Sequence, residues 1–290
     1  MAPAPSPDPI ESTGPAGEAG GGQPAPTLWD LAGRAPEQIA LVDARREVTW
    51  EELERRTNAI ANGLLAAGAR PGSHVTLAAG PRVEFFECLL GAWRAGLVHT
   101  PAGAGLTVDE TDFLLTDAGS VVVIADRPAA REAAAARALP VIDLDDGFDA
   151  WLAAQPTTRQ PYNRPGWRMS YTSGTTGRPK GIVPSGAGTV PFAEAFRGIA
   201  SWAKVAGLPD EGTHLVVSGV SHGPSLTFAL GAFARGATLR LLDRSDAATA
   251  LAALREPSVT STVMVPAMLR QLLALPGIDR SELPAPNLRV

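Results

Sequence analysis

Residues 171 to 183 read Tyr171-Thr-Ser-Gly-Thr-Thr-Gly-Arg-Pro-Lys-Gly-Ile-Val183 and gather hydroxyls, glycines and one lysine in a single stretch. Gly174, Gly177 and Gly181 carry no Cβ, so the backbone can turn tightly and bring N–H groups against an anion. Thr172, Ser173, Thr175 and Thr176 add hydroxyl donors, and Lys180 adds a mobile positive charge suited to a polyphosphate. The ligand this chemistry predicts is a phosphate chain. A P-loop matches poorly, because its lysine follows a glycine and precedes a hydroxyl residue. Here Pro179 precedes Lys180 and Gly181 follows it, which prevents the turn into a helix that a P-loop makes at its lysine. A generic Gly/Ser/Thr run is usually a surface turn, but thirteen residues in this order go well beyond what a turn requires.

A second stretch with chemical potential is Ser218-Gly-Val-Ser-His-Gly-Pro-Ser225. It follows a predicted strand and precedes a predicted helix, where open α/β sheets present ligand-binding residues. His222 and Gly223 are the candidates there, although a lone histidine near a strand end is more often structural. His74, His99 and His214 lack the spacing of a metal site, and the sequence holds no Cys/His cluster. Asp145-Asp146 sits in a predicted turn and is expected to be solvated. No hydrolase triad is expected. A kinase-like phosphotransferase would need a base and metal carboxylates near the loop, and none stands there.

The elements that must position these groups follow from pattern. Apolar residues make up 45% of 290, ample for a large core in one or two domains. Lys and Arg number 25 against 30 Asp and Glu, a net charge of -5 with no basic stripe, which argues against nucleic acid. No apolar run reaches the roughly 18 residues of a membrane span. The lone cysteine, Cys88, lies in the apolar run Phe85-Phe-Glu-Cys-Leu-Leu90 and reads as a buried structural thiol. It excludes an intramolecular disulfide and suits a reducing cytoplasm. Residues 1–24, rich in Pro, Ala, Gly and Glu with no basic start, read as a disordered leader rather than a signal peptide.

Beyond the leader, a short helix is expected at 27–33, strands at 39–43 and 48–50, and a long helix capped by Thr49 and Glu52 and ending at Gly68. Alternation follows: strands at 74–78, 97–101, 120–125 and 140–143, with helices at 83–94, 107–118 and 129–138 between them. Residues 154–166 read as a surface connection, and 167–171 as the strand that leads into the phosphate loop. After the loop come helices at 187–206, 225–234, 247–255 and 267–274, alternating with strands at 213–218, 238–242 and 260–265. There is no internal repeat. The predicted fold is α/β, with stacked βα layers and mainly parallel sheets covered by helices.

Tyr171 to Val183 resembles the phosphate-loop signature of the adenylate-forming (AMP-binding) superfamily, which includes acyl-CoA synthetases, peptide-synthetase adenylation domains and luciferases. The opening, a strand pair leading into Thr49-Trp-Glu-Glu-Leu53, is also similar to that family, and the likeness runs from about Thr27 to Val290. The resemblance implies that ATP with Mg2+ and a carboxylic acid form an acyl-adenylate and pyrophosphate, after which a thiol takes the acyl group. Thr172, Ser173, Gly174, Thr175, Thr176, Gly177, Lys180 and Gly181 would then hold the ATP phosphates. Lys180, the implied catalytic residue, would steady the departing pyrophosphate, and His222 and Gly223 would line the acyl pocket, although only these two residues and the apolar helix after them match the family there. The segment His222 to Leu230 looks most like acyl-CoA synthetases, so CoA is the implied acceptor and the acid could be fatty, aromatic or specific to a pathway. A carrier-protein thiol is the alternative acceptor, and a non-catalytic binding half-domain is the alternative of another class.

Residues 25–290 are expected to form an incomplete amino-terminal domain of this family, because the Tyr-Gly-x-Thr-Glu motif, the ribose-binding aspartate and the lysine-bearing small domain implied by the resemblance do not occur. Three or four loop-to-phosphate hydrogen bonds contribute about 1.5–3 kcal/mol each, against roughly 4–15 kcal/mol for immobilising a ligand. The 290 residues alone are therefore expected to bind ATP weakly and to catalyse little.

Overall fold

The structure, a computed structural model, describes residues 26–161, 164–172, 179–186, 188–221, 223–243, 246–278 and 287–288. Helix α1 spans Leu28–Ala32, strands β1 and β2 span Ile39–Val42 and Glu47–Thr49, and α2 spans Trp50–Ala66. Next come β3 (His74–Ala78), α3 (Val83–Arg94), β4 (Val98–Pro101), α4 (Val108–Ala118), β5 (Ser120–Ala125), α5 (Pro128–Ala136), β6 (Val141–Asp143) and α6 (Phe148–Ala153). Three short strands follow, β7 (Trp167–Arg168), β8 (Ser170–Thr172) and β9 (Lys180–Ile182). The rest is α7 (Phe192–Val205), β10 (Thr213–Val216), α8 (Gly223–Ala234), β11 (Thr238–Leu241), α9 (Ala247–Leu254), β12 (Val259–Thr262) and α10 (Pro266–Leu273).

Helix starts are written into the sequence. Thr27 and Thr107 accept from the N3 amides of α1 and α4, while Asp30 and Glu110 bond back to the cap amides. Thr49 accepts from the Glu52 amide at the start of α2, half of the expected reciprocal cap. Gly33 and Gly119 close α1 and α4 in the left-handed conformation that a Cβ would disfavour.

The strands form two five-stranded sheets, in the orders β12-β10-β11-β1-β2 and β6-β5-β3-β4-β7. Every pairing in them is parallel except β1 with β2. Strand alternation divides the core into layers. From β5, Val122 and Ile124 join the large central cluster with α2, α3 and α8, whereas Val123 and Ala125 turn outward onto α4 and α5. From β10, Val216 joins the central cluster, while Leu215 packs outward with α9 and β12. Each sheet is thus covered on both faces, as expected of apolar parallel strands.

Charge runs through the central layer as well. Glu87, buried in α3, accepts from Arg56 at 2.7 and 3.0 Å and from Arg46 at 2.8 Å. Glu54 of α2 pairs with Arg94 and Arg159. Cys88 is buried between these groups and the core, as its apolar run implies.

Several expectations need correction. The predicted strand 167–171 is two strands in different sheets, interrupted at Met169, whose amide donates to the His99 carbonyl at 2.9 Å. Helix α7 begins at Phe192 rather than 187, because Gly186 and Gly188 hold positive φ and Pro191 suits a helix start. Helix α6 falls where no element was predicted. Asp145 is not merely solvated, since it pairs with Arg82 at 2.7 Å.

Candidate functional site

The phosphate-loop stretch is built as a hairpin. Strands β8 and β9 form a separate two-stranded antiparallel sheet, with Ser170 opposite Ile182, Tyr171 opposite Gly181 and Thr172 opposite Lys180. Thr172 and Lys180 are therefore paired across the two strands, and Ser173, Gly174, Thr175, Thr176 and Gly177, between them in sequence, lie outside the described residues. Lys180 is exposed and belongs to a strand, so its position is fixed by pairing while its side chain is free to reach. No ion pair to Lys180 occurs among the described residues.

Two contacts hold the hairpin in place. The Tyr171 hydroxyl donates to Asp117 of α4 at 2.7 Å, and burial, reinforced by that carboxylate, pushes the phenol well up, so it stays a donor. Gly181 has a packing reason of its own. A Cβ there would lie 1.8 Å from the Met169 methyl and 3.1 Å from the Tyr171 ring. The residue expected to bind phosphate thus also makes room for the side chain at the break between β7 and β8.

Of the acyl-pocket candidates, His222 lies outside the described residues. Gly223 opens α8, and its carbonyl accepts from the Arg168 guanidinium at 3.5 Å. Beside it, between β7, α7, α8 and the chain after β9, is a cavity of about 640 Å³, within the range of small-molecule sites. Trp93, Trp167, Ile199, Trp202 and Leu230 are large apolar residues of its wall, with Arg168, Ser185 and Thr227 among the polar ones, and the exposed Glu194 also lines it. Sequence reasoning did not single out these residues. An arginine next to Trp167 in a short alternating strand run was the signal that could have pointed to Arg168.

The cavity wall is rigid where it meets β4. Trp93 stacks on Trp167 with centroids 5.9 Å apart and an interplanar angle of 8°. Trp93 Nε1 donates to His99 Nδ1 at 2.9 Å. Burial, with Arg168 nearby, depresses the His99 pKa to about 3, so the imidazole is neutral and structural. His214 is likewise buried, with its Nδ1 2.9 Å from Ser261 Oγ. No group of three or more His, Cys, Asp and Glu residues that could hold a metal ion occurs among the described residues.

Gly219-Val-Ser-His-Gly223 spells Gly-x-Ser-x-Gly, the order of a hydrolase nucleophile elbow, and is easily overlooked inside the longer run. The geometry gives that spelling no support. His99 bonds to Trp93, His214 contacts Ser261, and no histidine bonds to Ser221 among the described residues.

Comparison with known proteins agrees with the fold. The profile of the family described as AMP-binding enzyme matches residues 28–290. The chain is 29% identical over 263 residues to the fatty acid–[acyl-carrier-protein] ligase ScoC of Streptomyces coeruleorubidus, covering 85% of this chain and 49% of that protein. It is 30% identical over 276 residues to the long-chain-fatty-acid–CoA ligase FadD13 of Mycobacterium tuberculosis, covering 90% and 53%. The inhibitor-bound N-terminal domain of FACL13 from Mycobacterium tuberculosis superposes with a TM-score of 0.76 at 28% identity, covering 91% of this chain and 67% of that one. The chain belongs to the AMP-binding enzyme family. It spans about half the length of the curated relatives it matches. No helix among the described residues is long and apolar enough to cross a membrane.

Proposed function

We propose that residues 25–290 supply the ATP-phosphate site and the acid-binding cavity of an acid–thiol ligase. Such an enzyme joins a carboxylic acid to AMP and then passes the acyl group to a thiol. The observation that carries this reading is the strand pair β8–β9, which sets Lys180 opposite Thr172 on either side of the hydroxyl- and glycine-rich sequence 173–179. On this reading Thr172, Ser173, Gly174, Thr175, Thr176 and Gly177 would supply the hydroxyl and amide donors for the β- and γ-phosphates of the substrate ATP. Lys180 faces the charge that grows on pyrophosphate as the carboxylate attacks the α-phosphorus. That is leaving-group stabilisation, which needs a fixed cation and no proton transfer. Mg2+ would arrive with the nucleotide, held by phosphate oxygens and water, and would offset their charge. Gly181 serves the same site indirectly, by keeping the hairpin seated on Met169, and the cavity that would take the acid is lined by Arg168, whose guanidinium donates to the Gly223 carbonyl.

CoA is the acceptor we favour, by likeness to the CoA ligase among the relatives, with a carrier-protein thiol as the alternative that the carrier-protein ligase represents. The test is acyl-adenylate formation from ATP and a panel of carboxylic acids, trapped as hydroxamates, in the complete enzyme with these residues native and with Lys180→Ala. Adenylation is expected to fall by about 10²- to 10³-fold, while transfer from preformed acyl-adenylate to the thiol stays largely intact. Equal loss in both half-reactions would point to a folding defect, and no adenylate from any acid would count against the reading.

A further inference from the structure

Arg168 differs from the other well-buried arginines of the fold. Arg56, Arg82 and Arg94 each pair with a carboxylate. Arg168 does not, among the described residues. Among the described residues its guanidinium reaches two neutral oxygens, the Gly223 carbonyl at 3.5 Å and Thr227 Oγ1 at 3.2 Å, both long contacts. Burial lowers its pKa, yet a guanidinium remains a cation at any ordinary pH. Its placement is also electrostatically wrong for a purely structural role. Both contacts lie in the first turns of α8, whose N-terminus carries partial positive charge and favours an anion. A half-buried cation aimed at the positive end of a helix, on the wall of a mostly apolar cavity, is a site lacking its counter-charge. Glu194 does not supply it, being exposed at the rim and unpaired with Arg168.

Resting on the ligase reading, we propose that the acid substrate is a dicarboxylic acid whose second carboxylate docks on Arg168 and Thr227, with an apolar spacer against Trp93, Trp167 and Leu230. The docked group is the carboxylate that does not react. A guanidinium on the attacking carboxylate would withdraw charge from the nucleophile and stabilise the ground state, which slows the chemical step. Chain geometry bounds the spacer. Arg168 lies four residues before Thr172, so their Cα atoms are at most about 14 Å apart, which favours short and medium-length diacids over long ones.

Calorimetric titration of the chain with octanedioate, its monomethyl ester and octanoate, without ATP, tests the assignment. Octanedioate is expected to bind about ten- to a hundredfold more tightly than octanoate, the range of a charge-assisted hydrogen-bond pair. The ester, equal in length but singly charged, is expected to bind like octanoate. Arg168→Met should bring the ratio close to one, and Arg168→Lys should restore part of it, which a mere packing role would not. Thermal melts of both variants report folding, and Thr227→Val offers a milder change expected to weaken octanedioate selectively. Equal binding of the two acids, binding of neither, or a preference that survives Arg168→Met overturns the proposal. Failure of the ligase reading shows elsewhere, as no acyl-adenylate from ATP while the binding ratio persists.

Discussion

Acidification from pH 7 to pH 5 is expected to cost the fold about 4 kcal/mol through two histidines. His99 and His214 are buried, and burial holds their pKa values at about 3 and about 4. Both are therefore neutral in the folded protein throughout this pH range. In the unfolded chain each titrates near the ordinary value of about 6.5. The unfolded state thus binds protons that the folded state refuses. The stabilisation is complete above pH ~6.5 and is lost as the pH falls toward the folded values. Each pH unit below 6.5 costs about 1.4 kcal/mol per histidine, so pH 5 costs about 2 kcal/mol for each. The figure requires only that both folded values stay below 5. Asp43 and Glu84, held below the ordinary carboxylate range against the opposing effect of burial by backbone amides and by Arg82 respectively, lose their contribution only at lower pH. Urea denaturation at the two pH values measures the difference. His99→Asn, which leaves an acceptor for Trp93, and His214→Asn should each reduce the pH dependence by about half. A pH dependence untouched by either substitution would refute the reasoning. The cavity feels the same titration, because a protonated His99 would place a second cation beside Arg168.

Three further outcomes follow from the packing. Gly181→Ala should destabilise the hairpin by about 1–3 kcal/mol through collision with the Met169 methyl, and adding Met169→Ala should recover much of the loss in a double-mutant cycle. Arg56→Met leaves the buried Glu87 with Arg46 as its remaining partner, so a loss of about 3 kcal/mol is expected in denaturant titrations. Cys88 is buried and its thiol is pushed well up by burial, so a thiol reagent should label it only as fast as the protein unfolds.

The layered α/β fold was legible because its signals are local. Caps at Thr27, Thr49 and Thr107 and stops at Gly33 and Gly119 mark the helices, and apolar β-branched runs such as Ser120 to Ala125 mark buried parallel strands. Strand order was not legible, since β1 lies beside β11 through contacts that no neighbouring residue encodes. The break at Met169 was hidden for a related reason. The alternation of Trp167 to Tyr171 suits one strand, and only the arrival of β9, with a glycine at 181, draws Ser170 to Thr172 out of the larger sheet. At the site, composition pointed to the phosphate loop, whereas the cavity's wall is assembled from Trp93, Arg168, Trp202 and Thr227, which are scattered through the chain and meet only in the fold.

The place of β1 also has a consequence for biosynthesis. The sheet centred on β3 draws all its strands from residues 74 to 168 and can close as soon as that segment is made. The amino-terminal hairpin cannot, because Leu41 pairs with Leu239. At about 5–20 residues per second, β1 waits roughly 10 to 40 s on the ribosome before β11 is translated. Throughout that interval β1 offers an unpaired edge, the kind that recruits other chains. Nascent protein should therefore depend on chaperones chiefly before residue 241 is synthesised, and slow codons upstream of β11 should lower its yield more than slow codons after it.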